Sequence, residues 1–278
     1  MSKVLNTADT DALLGEDSPI EAEVYNESIG GDLNYYGGVA IHFRGGGKPL
    51  LLSISDGASM RLYQDLQGDS AFVTVQSLAN QTVILRTQAI ADLYFSSEAY
   101  DDFGPEHETY DDFVQIHMPD LRDWEIVESL ACDGADLDEF APEDVKRVSE
   151  RIMITDEQYE VLVAEGKIKP DELEWEKEKH QKETDRIFDL AMKMTYQLSS
   201  GQLRSIDDVD PLTLFETFHE FVDHDGGVDD GLLCLPTEGW RRSVFINRDA
   251  LDYVILPTHR FEQGRIEFDA EMLEEERE

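Results

Sequence analysis

The 278-residue sequence predicts an α+β protein in which two small β-barrel modules are joined by an acidic helical region. Three observations carry that expectation. Short alternating apolar runs are separated by glycine-rich turns, one order of strands and corners recurs about 140 to 160 residues later, and helical spacing takes over between the copies. The resulting division is a polar leader over 1–19, a first β-module over 20–99, an acidic helical connector or subdomain over 100–192, a second β-module over 193–268 and a charged tail over 269–278.

In the first module, residues 20–25 and 39–43 alternate like strands and are parted by Gly30-Gly31 and Gly37-Gly38. Gly45-Gly46-Gly47 then breaks the chain as a flexible loop. Residues 50–55 form a strand leading into Asp56-Gly57, a pair that favours the positive φ angles of a tight hairpin, so Met60, Leu62 and Leu66 are expected on the returning strand. Residues 71–76 follow, then a turn at Ala79-Asn80, a strand over 83–86, a short step through Gln88-Ala89-Ile90, and a last strand with Leu93, Tyr94 and Phe95.

The second module repeats this order. Residues 194–198 and 203–206 flank a turn at Ser200-Gly201. A helix then opens with Asp210 as N-cap and Pro211 at its first position, carrying Leu212, Phe215, Phe218 and Val222. Residues 232–235 correspond to 72–75, and 244–247 to 83–86. Asn247-Arg248-Asp249-Ala250-Leu251-Asp252-Tyr253 aligns with Arg86-Thr87-Gln88-Ala89-Ile90-Ala91-Asp92: an apolar strand, a polar corner, one buried aliphatic and a further strand. Five strands with a corner before the last suggest a closed or nearly closed barrel, which removes exposed strand edges. The competing reading is two unrelated hairpin regions.

Between the modules, Leu121, Trp124, Ile126, Val127 and Leu130 mark a short helix. Pro142 opens another with Val145, Val148 and Ile152, and Asp156 caps a third with Tyr159, Leu162 and Val163. Residues 172–186 are rich in Glu and Lys at spacings such as Glu176 to Lys179 and Glu178 to Lys182, which stabilise a solvated helix. The end of the chain, 272–278, reads as a charged, frayed terminus.

Residues 244–257, VFINRDALDYVILP, resemble the second signature of Sm-like proteins, and 83–95, VILRTQAIADLYF, are a weaker echo. Other SH3-like small barrels share that corner. The resemblance implies an Sm-like or SH3-like fold and, with it, ring assembly and RNA binding through an Asp-x-Asn loop and an Arg-Gly pair. Here Arg86 is followed by Thr87, and Asn247 by Arg248 and Asp249, so the glycine is missing from both copies, and no Asp-x-Asn loop matches.

Composition narrows the functional classes. Hydrophobic residues make up 41% of the chain, enough for packed cores, yet 62 acidic residues face 23 Lys and Arg, a net charge of -39. Such a field repels nucleic acid and anionic membranes, so direct binding to either is not expected of the bulk surface. Three readings of the acidity compete: solvation in a salty cytoplasm, docking of a basic protein partner, and mimicry of nucleic-acid phosphates. Self-repulsion on this scale predicts a thermal midpoint that rises with added salt. Cys132 and Cys234 have no metal-like or redox-like spacing, no apolar run reaches a membrane span, and the leader lacks a secretory pattern, so a reducing cytoplasm is the expected compartment.

The candidate partner-binding residues form a short repeat: Tyr100, Asp101, Asp102 and Phe103, then Tyr110, Asp111, Asp112 and Phe113. Carboxylates pair with Arg or Lys while the rings stack on guanidinium planes or fill pockets. The structural alternative is a pair of turns pinning aromatics on the first module. The loop Asp223-His224-Asp225-Gly226-Gly227-Val228-Asp229-Asp230-Gly231 suggests calcium, but the sixth and twelfth positions that an EF-hand gives to glycine and a carboxylate are Val228 and Cys234. His219, His224 and Cys234 fit a zinc cluster no better. Trp240-Arg241-Arg242 and His259-Arg260 are the basic clusters, expected as arginines at the core edge paired with acids. With no Gly-x-Ser-x-Gly, phosphate-loop or His-Glu-x-x-His motif, the expectation is a non-enzymatic regulatory or adaptor protein that needs no cofactor or metal and binds a basic partner; the alternative is an Sm-like RNA-binding ring.

Overall fold

The computed structural model describes residues 35–97, 116–118, 120–132, 135–207, 209–222, 232–236 and 243–275. Over these the chain is α+β, with three antiparallel sheets. In the first half the order is β1 (Tyr35–Phe43), β2 (Leu50–Ser55), α1 (Asp56–Asp65), β3 (Phe72–Gln76), β4 (Gln81–Arg86), a 3-10 turn at Thr87–Ala89 and β5 (Ile90–Ser97). A helical stretch follows: α2 (Leu121–Ala131), α3 (Pro142–Ile152), α4 (Asp156–Ala164) and α5 (Leu173–Met192). The first order then returns as β6 (Lys193–Leu198), β7 (Leu203–Asp207), α6 (Pro211–Val222), β8 (Leu232–Pro236), β9 (Ser243–Asn247), a 3-10 turn at Arg248–Ala250 and β10 (Leu251–Pro257), before a terminal helix α7 (Thr258–Glu275).

The two halves agree beyond element order. β1 pairs with β2 and β5, just as β6 pairs with β7 and β10. β3 pairs with β4, as β8 does with β9. A register shift passes over Ala91 where β5 meets β1, and over Asp252 where β10 meets β6. The backbone N–H of Arg44 donates to Ala89 O at 2.9 Å and that of Ser199 to Ala250 O at 2.7 Å; Gly46 donates to Phe43 O and Gly201 to Leu198 O. Gly46 and Gly201 have φ of 76° and 75°, the left-handed conformation such turns require of glycine. Matched bulges and matched turns at equivalent places are specific features that two arbitrary hairpin regions would not share.

None of the three sheets closes into a barrel among the described residues. Two causes are visible. α1 and α6 intervene between the second and third strands of each set, leaving one backbone hydrogen bond, Leu78 N–H to Ser53 O at 2.8 Å, to tie β2 to the β3–β4 hairpin. The outer edge of β4 is taken by β10, with Val254 opposite Ile84, so the five-stranded sheet β3-β4-β10-β6-β7 runs through both halves. The two strands divide their faces. Tyr253, Val83 and Leu85 enter a first core with Val39, Ile41, Leu52, Ile54 and Leu62, while Val254, Leu256 and Ile84 enter a second with Met194, Leu214, Phe218, Leu235 and Ile246.

Several local expectations change. Asp56-Gly57 starts a helix, because Ser55 caps it by accepting from the Ala58 N–H and Asp56 lies in the first turn, while Ala58, Leu62 and Leu66 recur at helical spacing against the first core. Thr155, not Asp156, caps α4, in a capping box with Gln158. Gly45-Gly46-Gly47 is not a free loop: a Cβ on Gly45 would lie 2.7 Å from Ser199 O, so the β1–β2 turn packs on the β6–β7 turn. Residues 258–275 are helical, where the end of the second β-module and a charged tail were expected. α7 lies against α6 so closely that a Cβ on Gly264 would fall 2.0 Å from Pro211 O. The expected strand over 20–25 lies outside the described residues.

A third core joins the helices, centred on Trp124, Ile126, Val127, Val148, Ile152, Ile187 and Ala191. Trp124 is fully buried and its indole N–H donates to Met118 O at 2.8 Å, fixing the entry of the chain into α2. No helix of the described residues is long and apolar enough to cross a membrane.

Candidate functional site

The acidity is unevenly distributed, and the fold explains where it falls. Strand faces are buried on one or both sides, so residues 35–99 carry five acids and four bases, and residues 232–257 three of each. The stretches between the strand sets carry the excess. Residues 100–141 hold 14 acids and one base, Arg122, and residues 208–231 hold eight acids with no Lys or Arg. The helical run 142–192 looks acidic but largely neutralises itself, nine bases facing 15 acids. Its pairs include Lys146 with Glu150, Lys167 with Glu165, Lys169 with Glu172, Lys177 with Asp156 and Lys182 with Glu178. The Lys182 hydrogen bond lowers the Glu178 carboxyl, and Asp156 raises the Lys177 ammonium. The largest excess of acids over bases therefore falls between β5 and α3, over residues 100–141.

Tyr100, Asp101, Asp102, Phe103, Tyr110, Asp111, Asp112 and Phe113 all lie in that stretch and outside the described residues, as do the Asp223-to-Gly231 loop and Trp240-Arg241-Arg242. The chain on either side of the repeat is described: β5, an edge strand among the described residues, precedes it, and His117 and Met118, both buried, follow it. Arg151 donates to His117 O at 2.7 Å, and burial together with the Arg151 charge pushes the imidazole down to about 4. Asp123, buried at the first turn of α2, receives both arms of Arg147 at 2.7 Å each, a fork that also reaches Asp144.

His117 and Met118 line a cleft of about 530 Å³. Its other walls come from α1 (Ala58, Arg61), the β3–β4 turn (Gln76, Ser77, Asn80), α2 (Leu121, Trp124) and the start of α7 (Thr258, Glu262). Behind it stands a buried polar cluster that motif reading did not find. His259 Nε2 meets Glu128 Oε2 at 2.8 Å, while Arg260 donates to Glu128 through Nε at 3.0 Å and through its terminal nitrogen at 2.8 Å. Arg260 also donates to Val209 O at 3.1 Å. Asn80 Oδ1 accepts the backbone N–H of His259 at 3.0 Å, and Asn80 Nδ2 donates to Leu190 O at 3.1 Å. Burial raises the Glu128 carboxyl, but the hydrogen bonds and charges of His259 and Arg260 outweigh it and hold the group at about 2. One carboxylate thus clamps α2 to α7, and His259 carries the tie on to Asn80 of the β3–β4 turn. The basic pair His259-Arg260 is internal and paired with an acid, as expected; the identity of that acid was not legible, since Glu128 is 131 residues away from His259. Among the described residues no group of His, Cys, Asp and Glu is arranged to hold a metal ion.

Comparison with protein-family models, with curated proteins and with solved structures finds no match to this chain.

Proposed function

We propose that this chain is a non-enzymatic adaptor or regulatory protein that docks a basic protein partner on its acidic segment at residues 100–113, next to a scaffold of two related β-modules of the SH3-like kind that are opened where β4 pairs with β10. The observation that carries the reading is the partition of charge: 14 acids and one base over 100–141, beside a first strand set that is nearly neutral and a helical run in which nine bases offset 15 acids. A local excess of carboxylates over bases attracts an external cation, and aromatic residues at Tyr100, Phe103, Tyr110 and Phe113 supply contact area that charge alone lacks.

The test is capture from lysate on the immobilised full-length chain at about 0.05 M and about 0.5 M salt, compared with a Phe103→Ala/Phe113→Ala chain of matched thermal midpoint. The reading predicts a basic protein released at high salt, bound poorly by the double variant, and displaced by duplex DNA if it is a nucleic-acid enzyme. Capture unaffected by the two substitutions would refute it.

A further inference from the structure

The joint between the two halves of the chain is also a template for joining one chain to the next. In that joint β4 offers its outer edge and the side of the β3–β4 hairpin that carries Phe72 and Ile84; β10 supplies the pairing edge, and α6 supplies a ring, Phe221, that meets Phe72 edge-on at 4.8 Å. The equivalent of β4 is β9, of Phe72 is Leu232, and of Ile84 is Phe245, by the matching registers of the two hairpins. Ile84 is 2% exposed, whereas Phe245 is 63% and Leu232 62% exposed. Cys234, cross-strand from Phe245, is exposed with them. Among the described residues β9 pairs only with β8.

The complementary surface presents exposed apolar side chains as well. β5, the equivalent of β10, pairs only with β1 among the described residues. Beside it α1, which holds the place of α6, presents Met60 and Tyr63 at 65% and 60% exposure, and with Ser59, Gln64 and Phe95 they line a shallow groove of about 320 Å³. Tyr63 and Phe95 meet edge-on with ring centroids 6.4 Å apart. An exposed apolar hairpin face and a matching apolar groove, each beside a strand edge that no described residue pairs with, are surfaces a monomer normally covers.

The geometry points to head-to-tail self-association, in which β9 of one copy pairs antiparallel with β5 of another while Phe245 and Leu232 seat on Leu93, Met60 and Tyr63. Carrying over the β4–β10 register sets Phe245 opposite Leu93 and Val244 opposite Tyr94. One position differs in kind: where β10 has Tyr253, β5 has Asp92, paired with His42 at 2.7 Å. A carboxylate at that rim makes the joint between copies weaker than the one within the chain, and so reversible. The net charge of -39 on each copy opposes it further, so association strengthens as salt screens the repulsion. This is opposite to the salt response of a basic partner and is independent of the acidic-docking reading.

Sedimentation of the full-length chain over a concentration series, at about 0.05 M and about 0.5 M salt, tests this. The expected result is a mass that grows above 31.6 kDa with both concentration and salt. Phe245→Asp and Tyr63→Asp, each at an exposed site and with a melting midpoint to be matched to the parent, should each weaken association at least tenfold. Mixed together they should form a capped dimer, because one retains the groove and the other the hairpin face. Alkylation of Cys234 should slow on association while that of Cys132 should not. A monomer under all conditions, as when residues outside the described set cover either face, overturns the proposal. So does an assembly that either substitution leaves intact, as in a β9-to-β9 dimer, and so does failure of the two variants to recombine.

Discussion

Glu128→Gln keeps the shape of the side chain and removes the charge that holds His259 and Arg260 against α2. Both basic side chains are almost fully buried, at 1% and 4% exposure, so losing their carboxylate leaves a cation in a poorly solvated site. Two independent magnitudes agree. Breaking a buried ion pair from one side costs about 3 to 5 kcal/mol. Lowering the carboxyl from 4.5 to about 2 on folding corresponds to about 3 kcal/mol of stabilisation at neutral pH. Because the folded value lies below the unfolded one, that stabilisation is complete above the unfolded value and fades as pH falls toward 2. Urea unfolding followed by circular dichroism at neutral pH and along an acid series reads it directly. Wild type and variant should differ by about 3 kcal/mol at neutral pH and converge near pH 2. Working with the difference removes the general relief of repulsion that acid brings to so acidic a chain. A gap below about 1 kcal/mol at neutral pH, or one that does not close on acidification, would refute the clamp.

Gly264→Ala should destabilise by about 1 to 3 kcal/mol, although alanine normally favours a helix interior over glycine, because the new Cβ has no room against Pro211 O. A higher urea midpoint in the variant would contradict the close packing of α6 on α7. The His117 imidazole should titrate near pH 4 by NMR, and its resistance to protonation stabilises the fold above its ordinary value of 6.5, with that contribution lost as pH falls toward 4. A titration midpoint for His117 at 6.5 or higher would place it outside the buried entry to α2.

The sequence carried the repeat better than it carried the helices that interrupt it. The corners at Arg86 to Ile90 and Asn247 to Leu251 were legible because a polar 3-10 turn followed by one buried aliphatic is a local pattern. α1 was hidden by Asp56-Gly57, a pair shared by hairpins and helix starts; the deciding signal, Ser55 as N-cap with apolar residues every fourth position, was present beside it. α7 was missed because Gly264 interrupts it and its contacts with α6 depend on that missing side chain. Open sheets in place of closed barrels could not be foreseen, since the edge of β4 is filled by β10, some 170 residues further along. The clamp at Glu128 was beyond local reading for the same reason: its acid and its two bases meet only after the strand sets and the helices have packed. The uneven charge, in contrast, was readable from residue counts once the strand boundaries were known.

The measurement that tests the functional account most directly compares two chains of equal net charge. One carries Asp101, Asp102, Asp111 and Asp112 changed to asparagine. The other has four exposed carboxylates of α5, Glu174, Glu183, Asp185 and Asp189, changed to the matching amides. The account predicts that affinity for the captured basic partner, read by calorimetry at about 0.1 M salt, falls at least tenfold in the first chain and stays near the parent value in the second. Equal losses in both would mean that total charge and not the segment at 100–113 draws the partner, and would contradict it.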